Sequence, residues 1–344
     1  MVKTVKLTAL IEANENVAFD EASINQSLGQ LGLIKSFEIS LDSEDDKSTQ
    51  AKVDSTTSQS SSEIVNFIRE SNKIYFGTLN IEQRKTLGIT VLHAANHEKI
   101  MNDETFKSKF ISMGSKKFNL DESYITNLLS GTDGDKLFDE LRSKFLEGDL
   151  TQMFVYIWEM ILSIGEEDDL EIELVESSAE RYGFEKPLIS ETRKLGNDRA
   201  KVTKAVDIIN SGDVAYNKLK AFEKTVLVSL LLTECSTIAG KISQDDMKLL
   251  KNLLNSQFNF PSNSLTVVLE KDLGYSLIKK VEQVEVYREK YELVEFLWER
   301  ILSTEDDVND GEMELIRKMV RKLDISDVES EGARKEVEQN LSTN

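Results

Sequence analysis

The sequence predicts a mainly α protein, with two tandem helical bundles preceded by a small α/β domain. Three observations point there. Charged residues make up 30% of the 344-residue chain and apolar residues 40%, with only two prolines, a mixture suited to long amphipathic helices. Apolar residues recur at helical spacing through most of the chain after residue 80. Within that region one stretch is a second copy of another.

Residues 1–80 read as the small α/β domain. Val2, Val5, Leu7, Ala9 and Ile11 alternate loosely with polar residues, as in a half-buried strand. Asp20 can cap a helix running to Leu31, which Gly32 would end. Ile34, Phe37, Ile39 and Leu41 suggest a second strand. Residues 43–63 are polar, Ser/Thr-rich and have almost nothing to bury, so they read as a mobile loop. A short helix at Ile64–Ser71 and a strand at Lys73–Gly77 complete the domain.

From Ile81 the period becomes helical. Leu87, Val91, Leu92 and Ala95 form one stripe, Phe154, Ile157, Ile161 and Leu162 a second, and Leu297, Ile301 and Leu302 a third. Clusters of Gly, Asn, Asp and Ser separate the helices, as in a bundle with short connections. Residues 81–190 read as the first bundle and 223–340 as the second. Residues 191–222, with Val202, Val206 and Ile209 on one face, read as a connecting helix.

The duplication is read from ordered matches. Trp158-Glu159-Met160-Ile161-Leu162-Ser163 recurs as Trp298-Glu299-Arg300-Ile301-Leu302-Ser303, and these are the only two tryptophans. Phe118-Asn119-Leu120 returns as Phe258-Asn259-Phe260 at the same offset. Lys85-Thr86 returns as Lys224-Thr225 at an offset shorter by one position. Tyr182-Gly183-Phe184 aligns loosely with Leu323-Asp324-Ile325 at an offset longer by one.

Each copy also holds two polar turns after which a helix opens with a carboxylate. The opening acids are Glu104 and Glu171 in the first copy, and Asp246 and Glu312 in the second. Acids at a helix N-terminus cap free N–H groups and oppose the macrodipole, which stabilises the helix without any ligand. Facing turns could instead present their carboxylates to a hard cation.

With Leu297-Trp298, Leu315-Ile316-Arg317-Lys318 and the earlier Ile157-Trp158, the chain resembles the tellurite-resistance TerB family over roughly residues 81–190 and 223–340. That family repeats a hydrophobic helix, an Ala-Asp-Gly-x-Ile turn and a helix opening with Glu. The resemblance implies a helical, non-enzymatic stress-response or scaffold protein that binds divalent metal through those carboxylates. The Asp of the turn is replaced by His97, Ile164, Ala239 and Glu305, so only Glu305 keeps an acid. The implied metal ligands are therefore Asp246, Glu305 and Glu312 in the second copy, and Glu104 and Glu171 in the first, for a divalent cation such as calcium or magnesium. Helix capping alone remains the competing reading, with the chain then a purely structural or co-chaperone-like adaptor.

The net charge of −20 disfavours nucleic acid and anionic membrane surfaces as partners, and favours cations and basic protein surfaces. No leader-like segment opens the sequence, and no apolar run reaches the ~20 residues a membrane span needs. A cytoplasmic protein that engages a protein partner is the expectation. The single cysteine, Cys235, lies in an apolar run and reads as a core residue. His93 and His97 share a helix face at i, i+4 but have no third ligand in sequence, so they read as a surface or helix-end pair. Trp158 and Trp298 read as core anchors. Asp306–Gly311 fails as a calcium loop, because with Gly311 at its sixth position the third is Val308 and the twelfth Arg317. No phosphate-binding loop, nucleophile elbow or zinc spacing is present, so no enzyme activity is expected.

Overall fold

The computed structural model describes residues 61–343, apart from 132, 167, 212–215, 239–240, 271–275, 283–286 and 305–306. The strand–helix–strand expected over residues 1–42 lies outside the described residues. So does most of the expected loop at 43–63, whose last three residues are the first turn of a helix.

The described chain is mainly helical. Helix α1 spans Ser61–Glu70. The strand expected at Lys73–Gly77 does not form. Ile74 makes one parallel bridge to Phe145, its N–H donating to Lys144 O at 3.0 Å, and the backbone then tightens into a 3-10 turn at Phe76–Thr78. The reason is local: Asp149 Oδ1 accepts the Phe76 N–H at 2.8 Å, which takes the donor a ladder would need.

Seven helices follow: α2 (Ile81–Asn102), α3 (Glu104–Lys116), α4 (Glu122–Gly131), α5 (Gly134–Lys144), α6 (Glu147–Ser163), α7 (Asp169–Arg181) and α8 (Lys186–Ser211). Another 3-10 turn, Tyr216–Lys218, precedes seven more: α9 (Ala221–Ser236), α10 (Gln244–Phe258), α11 (Leu265–Glu270), α12 (Leu277–Glu282), α13 (Tyr287–Leu302), α14 (Asp310–Lys322) and α15 (Asp327–Thr343). Each helix of the second set begins at a nearly constant offset from its counterpart in the first. A two-residue antiparallel pair, Thr237–Ile238 with Lys241–Ile242, lies between α9 and α10.

The repeat extends to backbone conformation. Asn119 and its counterpart Asn259 both adopt positive φ, at 52° and 49°. Asparagine tolerates this region better than most residues, so the retained Asn marks a retained turn. Gly183 and Asp324 do the same after α7 and α14, at 93° and 61°. Helix starts are equally repetitive. The Asp103 and Asp168 carboxylates, the Ser243 hydroxyl and the Asn309 amide oxygen each accept backbone N–H groups of the first turn of α3, α7, α10 and α14.

Apolar side chains gather into two cores. One runs from Ile64 to Ile189, the other from Val202 to Val337. Helix α8 belongs to both: Ile189 lies in the first, and Val202, Ala205, Val206 and Ile209 in the second. In the first copy the equivalents of Ala205, Val206 and Ile209 are Ile64, Val65 and Ile68 on α1, all buried in the first core. Thus α1 opens the first module. The second half of α8 opens the second module, on the same rod whose first half closes the first. The rod begins at Lys186, earlier than the connecting helix read at 191–222.

Two features lock α8 in place. Gly196 faces α6 so closely that a Cβ there would lie 2.3 Å from Trp158 Cβ and 2.9 Å from Val155 O. Three residues on, Arg199 donates from Nε to Glu159 Oε2 at 2.6 Å, while Thr203 Oγ1 donates to Glu159 Oε1 at 2.9 Å. The same guanidinium donates from Nη1 to Asn263 O at 3.1 Å and to Thr266 Oγ1, both in the second module. The Asn263 amide returns a bond to Leu195 O at 3.2 Å. Trp158 and Trp298 are buried, as core anchors should be. Among the described residues, no helix is long and apolar enough to cross a membrane.

Candidate functional site

The helix-opening acids fall into two kinds. Glu104 is exposed and pairs along its own helix with Lys107 at 3.3 Å. Asp246 is part of a local cap: its N–H donates to Ser243 Oγ at 3.0 Å and its Oδ2 accepts from that hydroxyl at 2.8 Å. Glu171 and Glu312, by contrast, occupy equivalent positions and are each only 4% exposed. Glu305 lies outside the described residues. Among the described residues no three His, Cys, Asp or Glu side chains converge on a common point suited to a metal. Glu104 and Asp246 are thus engaged in local surface contacts, and the chemistry concentrates around Glu171 and Glu312.

In the first module the turn after α6 is an oxygen cage. Lys117, at the end of α3 and 7% exposed, sends its ammonium into it. Nζ donates to Ile161 O at 3.0 Å, to Glu166 O at 3.1 Å and to Ile164 O, and lies 3.6 Å from Glu171 Oε2. Gly165, at φ 66°, lets the turn fold around that ammonium, and a Cβ there would lie 3.9 Å from Nζ. A second lysine, Lys109, contacts Asp168 directly and lies 3.5 Å from Glu171 Oε1. Burial works against the Lys109 charge, but the hydrogen bond to Asp168 and the charges of Glu171 and Asp168 outweigh it and hold its pKa up. For Asp168, burial is outweighed in turn by Lys109 and by the N–H groups of Glu171 and Leu170, which hold its carboxyl below the usual range. Two buried or half-buried lysines therefore face two carboxylates, and the cluster is neutral.

In the second module the same place is chemically different. Gln257, 1% exposed, stands where Lys117 stands, and Leu249 where Lys109 stands. Leu249 occupies the corresponding location beside α14, since a Cβ on Gly311 would meet its methyls at 3.1 Å. Asn309 replaces Asp168 as the cap. Thr304 Oγ1 donates to Gln257 Oε1 and to Ile301 O at 3.1 Å. Glu312 keeps its acid, with Oε2 accepting the Asn309 N–H at 3.2 Å. Among the described residues no lysine or arginine pairs with Glu312. Among the described residues, two lysines facing two carboxylates have given way to the buried Glu312 carboxylate with a neutral glutamine and a leucine.

Lys117 and Lys109 were not among the residues singled out from sequence. Aligning the two copies would have found them, because Lys faces Gln and Lys faces Leu while Glu171 faces Glu312.

Of the histidine pair, His97 is half-buried and His93 is not at the surface at all. His93 is fully buried, its Nε2 lies 3.1 Å from His97 Nδ1, and its ring packs 6.1 Å from Phe110. Helix α5 closes over the pair: a Cβ on Gly134 would fall 2.2 Å from His97 Cβ. Burial, and then the neighbouring His97, push the His93 pKa down to about 4. Cys235 is buried, and burial pushes its thiol up to about 11, so it is a packed core residue rather than a reactive thiolate.

No family model, no curated protein and no solved structure matches this chain.

Proposed function

We propose that this chain is a non-enzymatic TerB-like scaffold of the cytoplasm, in which two helical modules are held in fixed register and the second takes a divalent cation at the turn beside Glu312. The observation that carries the cation reading is the Glu171–Glu312 comparison. A buried carboxylate needs a counter-charge, and Glu171 has two lysines where Glu312 has none among the described residues. Calcium and magnesium are both hard cations taken by oxygen ligands, and a carboxylate suits either. The net charge of −20 favours a protein partner with a basic surface.

Calorimetric titration of the whole chain with calcium, magnesium and manganese tests this. Heat from one site, lost in E312Q, is the expected outcome. No heat at millimolar metal, or the same heat in E312Q, rejects the cation.

A second reading is favoured by the capping geometry. Asp246 and Glu312 both complete helix N-termini and need no ligand to do so. The chain is then a structural adaptor, and its capture of a partner is unchanged by chelator.

A further inference from the structure

We infer that the first module carries its own cation, the Lys117 ammonium, so that only the second module answers to cations in solution. The inference deepens the scaffold reading by assigning its cation response to one module, and its core claim about Lys117 stands apart from whether Glu312 binds metal.

The argument starts from the donor set. Three backbone carbonyls, Ile161 from the last turn of α6 and Ile164 and Glu166 from the turn after it, converge with the Glu171 carboxylate on a single point. Carbonyls held this way carry partial negative charge inward, and hard cations are bound by such oxygens. Here the point is occupied by a side-chain ammonium that is itself more than nine-tenths buried. The site is too enclosed for Lys117 to be a surface lysine resting on a helix end, and it uses its donors on the turn rather than on water. Its tether is also short: Lys117 follows the last turn of α3, and its N–H donates to Met113 O at 2.8 Å, which fixes where the side chain begins.

The second module supplies the contrast. Its equivalent of Lys117 is neutral Gln257, and its equivalent of Glu171 is Glu312, still buried. An ammonium stands at this position in the first copy and an amide in the second. A tethered cation cannot be removed by chelation or dilution, so the turn after α6 holds its shape at any metal concentration. Substituting Lys117 by the residue of the other copy should then open the first cage to an external cation.

Hydrogen exchange on the whole chain tests this, with EDTA-treated protein compared in sodium, potassium, magnesium and calcium chloride. In the wild type, amides of residues 161–181 should be indifferent to all four salts at matched ionic strength. In K117Q the same amides should lose protection in EDTA and regain it with at least one salt. The regain should be about tenfold when the cation exceeds its dissociation constant by about tenfold. K117Q/E171Q should show no such gain. A wild-type response in 161–181 equal to that of K117Q overturns the inference, as does a folded K117Q indifferent to every salt. A K117Q chain that is unfolded and restored by one cation supports it; one that none of the four restores overturns it. Residues 301–322 report separately. Their indifference in the wild type rejects a cation at Glu312 and leaves the outcome at Lys117 to be judged from K117Q.

Discussion

The Arg199 guanidinium and the Glu159 carboxylate meet at 2.6 Å with side chains only 11% and 7% exposed, where the two modules join. Removing one partner strands the other charge in a poorly hydrated place. R199A should therefore lose about 3–5 kcal/mol in urea denaturation, whereas E159L/R199M, which removes both charges and keeps the bulk, should lose much less. Arg199 also holds Asn263 and Thr266, so R199A should split unfolding into two phases, one per module. A single transition with a loss under about 1 kcal/mol would show that the pair does not clamp the modules.

Gly196 lets α8 approach α6 closely. The Cβ of G196A would lie inside the contact distance of Val155 O and Trp158 Cβ, and a backbone oxygen cannot rotate away. G196A should cost at least about 1–3 kcal/mol and raise exchange in both helices. The matching position in the second module is Val337, so alanine there should fit without a clash and cost only its two lost methyl groups and the space they leave, about 1.5–2.5 kcal/mol.

The two tryptophans occupy equivalent places but differ at nitrogen. Trp298 Nε1 donates to Ser330 Oγ at 3.1 Å, while the buried Trp158 Nε1 has no hydrogen-bond partner among the described residues. W298F gives up a made hydrogen bond and W158F an unmade one. Beyond the shared loss of ring volume, W298F should cost about 1 kcal/mol more by thermal or chemical unfolding. Equal losses would contradict the asymmetry.

His93 gives the fold an acid-sensitive component. Its folded pKa is about 4 against an ordinary 6.5, so between those values the unfolded chain binds the proton more readily. Stability from this group is complete above about pH 6.5 and is lost as pH falls toward 4, amounting to about 3 kcal/mol in all. Urea midpoints of the wild type should drop between about pH 7 and 4.5 more steeply than those of H93Q. Parallel slopes would mean that His93 is hydrated in the folded state.

Much of this architecture is legible in the sequence, because it rests on local signals repeated twice. The Trp-Glu-x-Ile-Leu-Ser segments mark α6 and α13, and the Phe-Asn pairs mark two turns of the same handedness. What escapes is what depends on distant partners. Lys117 lies in an unremarkable Ser-Lys-Lys-Phe stretch, and the oxygens it binds are 44 to 49 residues away. His93 is misplaced for a different reason. Helix α2 is buried on nearly every side from Arg84 to Asn96, so it has no polar face from which burial could be read. Ile74 and Phe76 look like strand residues, but a strand needs a neighbour, and among the described residues only Phe145 comes alongside. The start of each module is hidden in the same way: α1 is a short separate helix in the first, while its counterpart is merged into α8 in the second.

That merger makes angular phase a coded property of the chain. A rod that ends one module and begins the next converts every residue of its length into rotation, roughly 100° and about 1.5 Å per residue. One residue inserted between Gly196 and Val202 would swing the second module about a third of a turn around the first, leaving each core intact. Length along α8 is thus the variable that sets which faces of the two modules a partner meets together.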